Sequence, residues 1–104
     1  MTEQNVVGTG PIWIRVTEFG IEPAQEGVPT LEEKQAAVEG YITPVSLDYL
    51  YIRELEIMYG RLVMMAWVNE EGILRNMEYN PFGSAFANQP ILGPMVIELG
   101  EKRE

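Results

Sequence analysis

The tetrapeptide Thr30-Leu31-Glu32-Glu33, which directly follows Pro29, is the part of this sequence that most limits the possible fold. It has the form of a capping box, in which the threonine hydroxyl accepts from the amide three residues later and the glutamate carboxylate accepts from the threonine amide. Pro29 disfavours helix before it. We therefore predict a helix from this point to about Glu39, ended by Gly40 in the left-handed conformation.

Short apolar segments on either side of this helix predict strands. The segments 13–19 and 41–47 have strand composition, and Pro44 places the second of them at a sheet edge because proline has no amide hydrogen to donate. Residues 48–58 fit a helical stripe and strand alternation equally well, and their tyrosines and isoleucines favour strand. The segment 61–68 is apolar on both faces, which is typical of a central strand.

The second half of the chain contains several Asn, Gly and Pro residues that predict turns and a helix start. Asn69–Gly72 is predicted as a hairpin turn whose glycine takes the left-handed position, followed at 73–79 by a return strand or an irregular passage. Asn80 is a favourable N-cap for a short helix that begins at Pro81. The last predicted strand covers 91–99.

The order β-α-β-β-(β)-α-β predicts an α+β fold. We expect a small, mostly antiparallel sheet of about four or five strands, with one capped helix and one short helix on one face. Residues 1–11 are predicted to be a flexible N-terminal arm, 12–99 a single α+β domain, and 100–104 a charged tail.

Charge narrows the range of partners. Sixteen acidic residues face seven basic ones, which gives a net charge of −9 and argues against direct nucleic-acid binding. An acidic surface is suited to a basic protein, or to mimicry of DNA. No apolar run approaches the ~20 residues of a membrane helix, and the N-terminus has no signal-peptide pattern, so a cytoplasmic protein without membrane contact is expected.

The chain contains no histidine and no cysteine, which removes the commonest catalytic base, a common nucleophile and most transition-metal ligands. We expect no enzymatic activity, no catalytic residues, no metal site and no cofactor. A carboxylate-based hydrolase stays open as an alternative, with Glu54 and Glu56 as its candidate pair.

The best candidate for a ligand site lies around the start of the second predicted helix. Exposed amides at a helix N-terminus favour an anion, nearby arginines add positive charge, and aromatic side chains stack on bases. Arg15 and Arg53 also lie on or near predicted strands. In the competing interpretation the aromatic residues fill the core and the arginines pair with acids. The predicted ligand-binding residues are Arg61, Arg75, Tyr79, Asn80, Phe82, Gly83 and Ser84.

Four segments occur in a fixed order: TLEEKQAAVEGYITPVSL, VNEEGIL, NPFGSAFAN and ILGPMVIEL. In these segments, which span about residues 12–99, the chain resembles a domain family of unknown function found in small phage and plasmid proteins. It departs from that pattern through the longer stretch 48–58. The resemblance implies a phage or plasmid accessory protein in the cytoplasm of a bacterial host cell, and it supplies no catalytic residues.

These observations leave three functional hypotheses. The first is a non-enzymatic phage counter-defence protein that sequesters a small nucleotide immune signal. The second is an acidic protein-binding inhibitor or DNA mimic with a basic host protein as its partner, and the third is the small hydrolase. In each case a homo-oligomer is expected, with 49–58 at the interface, because a small sheet leaves open edges.

Overall fold

A single antiparallel sheet with helices on both faces organises the chain. The computed structural model describes residues 8–103, and the predicted α+β class is confirmed there by six strands and three helices. The elements are β1 Ile12–Thr17, β2 Gly20–Ile21, β3 Gln25–Glu26, α1 Leu31–Val38, β4 Ile42–Pro44, α2 Tyr49–Tyr59, β5 Arg61–Asn69, α3 Pro81–Ala87 and β6 Met95–Lys102.

The last strand of the chain lies at the centre of the sheet. The strand order is β2-β1-β6-β5-β4, with β3 also paired to β1. Val96, Ile97 and Leu99 of β6 are buried because both faces of this strand are covered. The strand continues to Lys102, three residues beyond the predicted end of the domain at residue 99. β4 lies at the edge of the sheet, as predicted, but it covers only Ile42–Pro44 of the predicted segment 41–47.

Alternate residues of the sheet face different helices. Ile12, Ile14 and Val16 of β1 belong to a core that includes Leu55 of α2 and Ala87 of α3. Trp13 points to the other face, where it packs with Val38 of α1. The prediction that the capped helix and the short helix share one face was wrong, because the side chains of β1 alternate between two separate cores.

The capping box of α1 is confirmed. The Thr30 hydroxyl accepts from the Glu33 amide at 3.0 Å, and the Thr30 amide donates to the Glu33 carboxylate at 2.9 Å. The left-handed residue after the helix is Glu39, with φ of 66°, and not Gly40 as predicted. Gly40 is required for space, since a Cβ there would lie 2.7 Å from the side-chain nitrogen of Asn69.

The strand predicted over 48–58 is a helix. Asp48 caps α2 by accepting from the Leu50 amide at 2.9 Å, and Gly60, with φ of 67°, ends it with an N–H bond to the Glu56 carbonyl. Leu55 is buried on the core side of this helix. Helical periodicity prevailed over the β-propensity of the tyrosines and isoleucines because both ends of the segment are capped.

The predicted hairpin after β5 does not form. Residues 70–76 make successive turns, and pairing resumes only at an isolated bridge between Tyr79 and Leu92. Gly72 does not have the predicted left-handed conformation. It is needed because a Cβ there would overlap the carbonyl oxygen of Leu92, so two loop segments approach each other closely at this point. Within the described range, no helix has the length and apolar character to cross a membrane.

Candidate functional site

The predicted N-cap residue of α3 is buried, and its side chain links three backbone segments. Asn80 is 1% exposed. Its side-chain oxygen accepts from the Gly83 amide at 2.9 Å, which confirms the cap. Its side-chain nitrogen donates to the carbonyls of Val16 at 3.0 Å and Gly93 at 2.9 Å. Every polar atom of this amide is therefore engaged inside the protein, and none is free for a ligand.

The polar groups of the next residues in α3 also have hydrogen-bond partners within the protein. Gly83 and Ser84 are buried, and the Ser84 amide donates to the Asn80 carbonyl at 2.8 Å. The Ser84 hydroxyl accepts from the Ile91 amide at 2.8 Å. The Gly83 and Ser84 amides thus already donate to acceptors of the protein itself, and an anion at the predicted site would have to replace these acceptors.

Arg61, another predicted ligand residue, holds the beginning of the described chain. It is 5% exposed, and its guanidinium donates to the carbonyls of Gly8, Gly10 and Tyr59 at 3.1–3.2 Å. The Lys102 amide also donates to the Thr9 carbonyl at 2.8 Å. Residues 8–10 of the predicted arm are thus bonded to the sheet, and residues 1–7 lie outside the described part of the chain.

The remaining predicted ligand residues lie at the surface in separate places. Tyr79 and Phe82 are both exposed. Arg75 lines a surface cavity, and neither aromatic residue contributes to it. Arg75 donates to the Glu39 carbonyl at 2.6 Å. Of the seven predicted residues, only Arg75 therefore lies in a cavity together with a second arginine, Arg15.

We call this cavity, of about 520 Å³, the arginine crevice. Arg15 already bonds the Ala37 carbonyl at 2.8 Å and the Glu22 carboxylate at 2.7 Å, and its guanidinium lies 3.6 Å from the Glu39 carboxylate. Because carboxylates outnumber guanidinium groups around it, an incoming anion would have to compete with these internal partners. The lining consists of Arg15, Thr17, Glu18, Phe19, Glu22, Glu39, Arg75, Asn76, Met77, Glu78, Gly93 and Pro94.

The carboxylate pair considered for hydrolysis does not converge. Glu54 and Glu56 are two residues apart on a helix, so their side chains leave it in different directions. Glu56 is engaged elsewhere, because its carboxylate accepts from the Val63 amide of β5 at 3.1 Å. Within residues 8–103 no three metal-ligating side chains are grouped closely enough to hold an ion.

A surface that the sequence did not predict lies along β5, next to the loop before α1. The pairing of β5 with β6 is shifted between Arg61 and Val63 and again between Val63 and Met65. Met64 and Met65 consequently line the same groove, of about 650 Å³, and remain 60% and 40% exposed. Gly100 gives Met64 room, since a Cβ there would lie 3.3 Å from the methionine sulfur.

We call this depression the methionine groove. Its apolar residues come mainly from β5 and from the loop before α1, with single residues from β1 and β6, and acidic residues lie among them. The lining residues are Pro11, Ile12, Val28, Pro29, Leu62, Met64, Met65, Glu98, Leu99, Gly100, Glu101 and Arg103. Glu98 is partly engaged, because its carboxylate accepts from the Trp67 indole at 2.6 Å and lies 3.6 Å from the Lys34 ammonium.

A second apolar surface lies on the outer side of α2. Five large apolar or aromatic residues of this helix are exposed, and we call them the α2 face: Tyr49, Leu50, Tyr51, Ile57 and Met58. Arg53 lies among them and donates to the Tyr49 hydroxyl at 3.1 Å, a hydrogen bond that raises the pKa of the arginine above its ordinary value. At the C-terminal end of the helix, burial raises the pKa of Tyr59.

Comparison with known proteins gives no match for this chain: neither a family model, nor a curated protein, nor a solved structure is significantly similar to it. The functional interpretation therefore depends on the surfaces described above and on the sequence resemblance, which stays a prediction.

Proposed function

We propose that this chain is a non-catalytic, acidic protein-binding protein whose methionine groove holds an apolar segment of a basic partner. The observation that carries this proposal is the shifted pairing of β5, which places Met64 and Met65 together in one open groove. Contiguous exposed apolar surface with polar residues at its rim is a feature of protein-interaction sites.

The side chains in the groove suit a partner that is bound through a flexible apolar contact. Methionine is unbranched and polarisable, and it adapts its shape to different partners. Full burial of such a side chain contributes ~1.5–3 kcal/mol, so the exposed parts of Met64 and Met65 together offer about 2 kcal/mol to an occupant. Leu62, which is 45% exposed, adds to this contact.

Charge selects the class of partner. The net charge of −9 attracts basic proteins and accelerates their association at low ionic strength. At the groove, Glu98 and Glu101 stand against a single arginine, Arg103. We therefore assign as occupant a segment with an apolar anchor residue flanked by lysine or arginine.

The setting of the proposed activity comes from the four sequence segments that resemble phage and plasmid proteins. In this setting, the proposed protein is a phage accessory protein with a counter-defence role in the cytoplasm of a bacterial host. It acts there as an inhibitor of a basic host protein. The absence of histidine and cysteine from the sequence supports binding over catalysis.

A displayed library of random peptides, selected on the purified protein, tests the proposal. We expect enrichment of peptides with an apolar anchor beside lysine or arginine, and loss of their binding when Met64→Glu and Met65→Glu are combined. The matched control replaces Ile73 and Leu74 by glutamate, since these are also adjacent, exposed and apolar. Equal loss with both double variants, or enrichment of acidic peptides, would overturn the proposal.

A second candidate function is the sequestration of a small nucleotide in the arginine crevice. The observation that favours it is the presence of Arg15 and Arg75 on one cavity of about 520 Å³. Calorimetric titration with cyclic nucleotides and ADP-ribose-type nucleotides tests it. Arg75→Ala should weaken binding by about 1.5–3 kcal/mol, the range for a hydrogen bond to a charged group, and Glu70→Gln should leave it unchanged. No heat with any nucleotide, or equal losses in both variants, would exclude this candidate.

A further inference from the structure

The α2 face is mostly uncovered by the other elements in the described range, although the Tyr51 ring packs against Phe86 of α3 with 5.2 Å between the ring centroids. Its five apolar side chains expose 66% (Tyr49), 71% (Leu50), 38% (Tyr51), 74% (Ile57) and 61% (Met58) of their surfaces. Together this equals roughly three complete large side chains, on the order of 500 Å². A standard protein interface buries about 800 Å² on each partner. The exposed apolar surface of this helix thus amounts to more than half of that area.

The exposed residues form a pattern with a charged centre. Leu50 and Ile57 are seven residues apart and lie on one line along α2. From the helical repeat, Arg53 lies about 50° to one side of this line and Glu54 about 50° to the other. Arg53 shares its side with Tyr49, whose hydroxyl it bonds.

This pattern fits a second copy of the same helix in only one of two orientations. In an antiparallel pair related by a twofold axis, each side of the helix meets the same side of its copy, so Arg53 would oppose Arg53 and Glu54 would oppose Glu54. In a parallel pair, the side that carries Arg53 meets the side that carries Glu54, and the contact occurs twice. Opposite charges across such an interface determine the orientation.

We propose that the α2 face is the interface of a twofold-symmetric homodimer in which two copies of α2 run parallel. Leu50 and Ile57 contact their own counterparts along the axis, and Arg53 pairs with Glu54 of the other copy on both sides. This inference goes beyond the proposed function. Because no residue of α2 lines the methionine groove, dimerisation through the α2 face leaves both grooves open and makes binding bivalent.

Sedimentation over a concentration series tests the association. We expect twice the monomer mass of 11.8 kDa, and a monomer for Ile57→Glu. Leu74→Glu is the matched control, since Leu74 is 86% exposed in a turn away from α2, and it should stay dimeric. Arg53→Glu replaces two attractive contacts by repulsive ones and should weaken the dimer about tenfold. A monomer at all concentrations, or a dimer unaffected by Ile57→Glu, would overturn the proposal.

Because the chain has no cysteine, single cysteines report the orientation directly. In the parallel arrangement, Leu50→Cys and Ile57→Cys each form a disulfide with their own counterpart under mild oxidation, and Leu74→Cys does not. If the two variants cross-link only with each other when mixed, the helices are antiparallel and the proposal is wrong. Should Ile57→Glu fail to fold by circular dichroism, Arg53→Glu decides the association, since that side chain is exposed.

Discussion

The start of α3 and the methionine groove differ in the polarity and the burial of their side chains. Asn80 at the helix start is polar and buried, and its side-chain amide makes three hydrogen bonds. Met64 and Met65 in the groove are apolar and exposed, with open space in front of them. The first region resembles a motif for anion binding in sequence and serves the fold, whereas the second has no motif and offers free surface.

The difference shows which side chains are available for binding. A polar group whose hydrogen bonds are all made inside the protein gains little from a ligand, because a new bond only replaces an existing one. An exposed apolar group gains free energy whenever a partner covers it. Substitutions at Asn80 should therefore reduce stability, and substitutions in the methionine groove should reduce binding.

The largest expected effect is that of Asn80→Ala. It leaves the Gly83 amide and the carbonyls of Val16 and Gly93 without their partner, and should lower the free energy of unfolding by about 3 kcal/mol. Met64→Ala should change it by about 0.5 kcal/mol, as at other exposed sites. Urea unfolding measures both values. Similar losses in the two variants would remove the distinction between the regions.

The close approach at Gly72 gives the next effect. An alanine Cβ there would overlap the carbonyl oxygen of Leu92, so Gly72→Ala should cost about 2 kcal/mol through displacement of the loop. Gly20→Ala is a useful comparison, because that glycine has open space but a φ of 125° that strains any side chain. If Gly72→Ala left the free energy of unfolding unchanged, the two loop segments would not be in contact.

Removal of the capping hydroxyl by Thr30→Ala should cost about 1 kcal/mol in the same assay. Thr30→Ser keeps the hydroxyl oxygen and should retain most of the stability. If serine and alanine behave alike, the bond to Glu33 contributes nothing to α1.

The smallest effect concerns pH. Burial raises the pKa of Tyr59, so above pH ~10 the unfolded chain releases a proton that the folded chain keeps. Stability from this group is therefore complete below the unfolded pKa and is lost as pH rises through the folded value. Tyr59→Phe should flatten the decline in unfolding free energy above pH ~10, and an unchanged slope would assign the decline to other groups.

Local signals in the sequence were sufficient for α1 and α3. The capping box at Thr30 and the Asn80-Pro81 start each act within a few residues, so no tertiary information was needed. For α2, the sequence pattern fitted strand and helix periodicity equally well. The β-propensity of its residues then favoured a strand, which was wrong. Asp48 and Gly60 mark the two ends of that helix and would have identified it.

The candidate sites depended on contacts that sequence spacing does not reveal. Asn80 is closed to ligands by Val16, which is 64 residues away, and Arg61 by Gly10, which is 51 residues away. The methionine groove arises from a shift in the pairing of β5 with β6, which no local pattern in either strand specifies.

The methionines themselves provide the most direct test, because they mark every surface considered. Met64 and Met65 lie in the methionine groove, Met77 in the arginine crevice, Met58 on the α2 face and Met95 in the core. In a spectrum of ¹³C-methyl methionine, titration with a selected basic peptide should shift the Met64 and Met65 signals and leave those of Met77 and Met95 in place. A shift confined to Met77 or Met58, with Met64 and Met65 unmoved, would contradict the assignment of the methionine groove as the binding site.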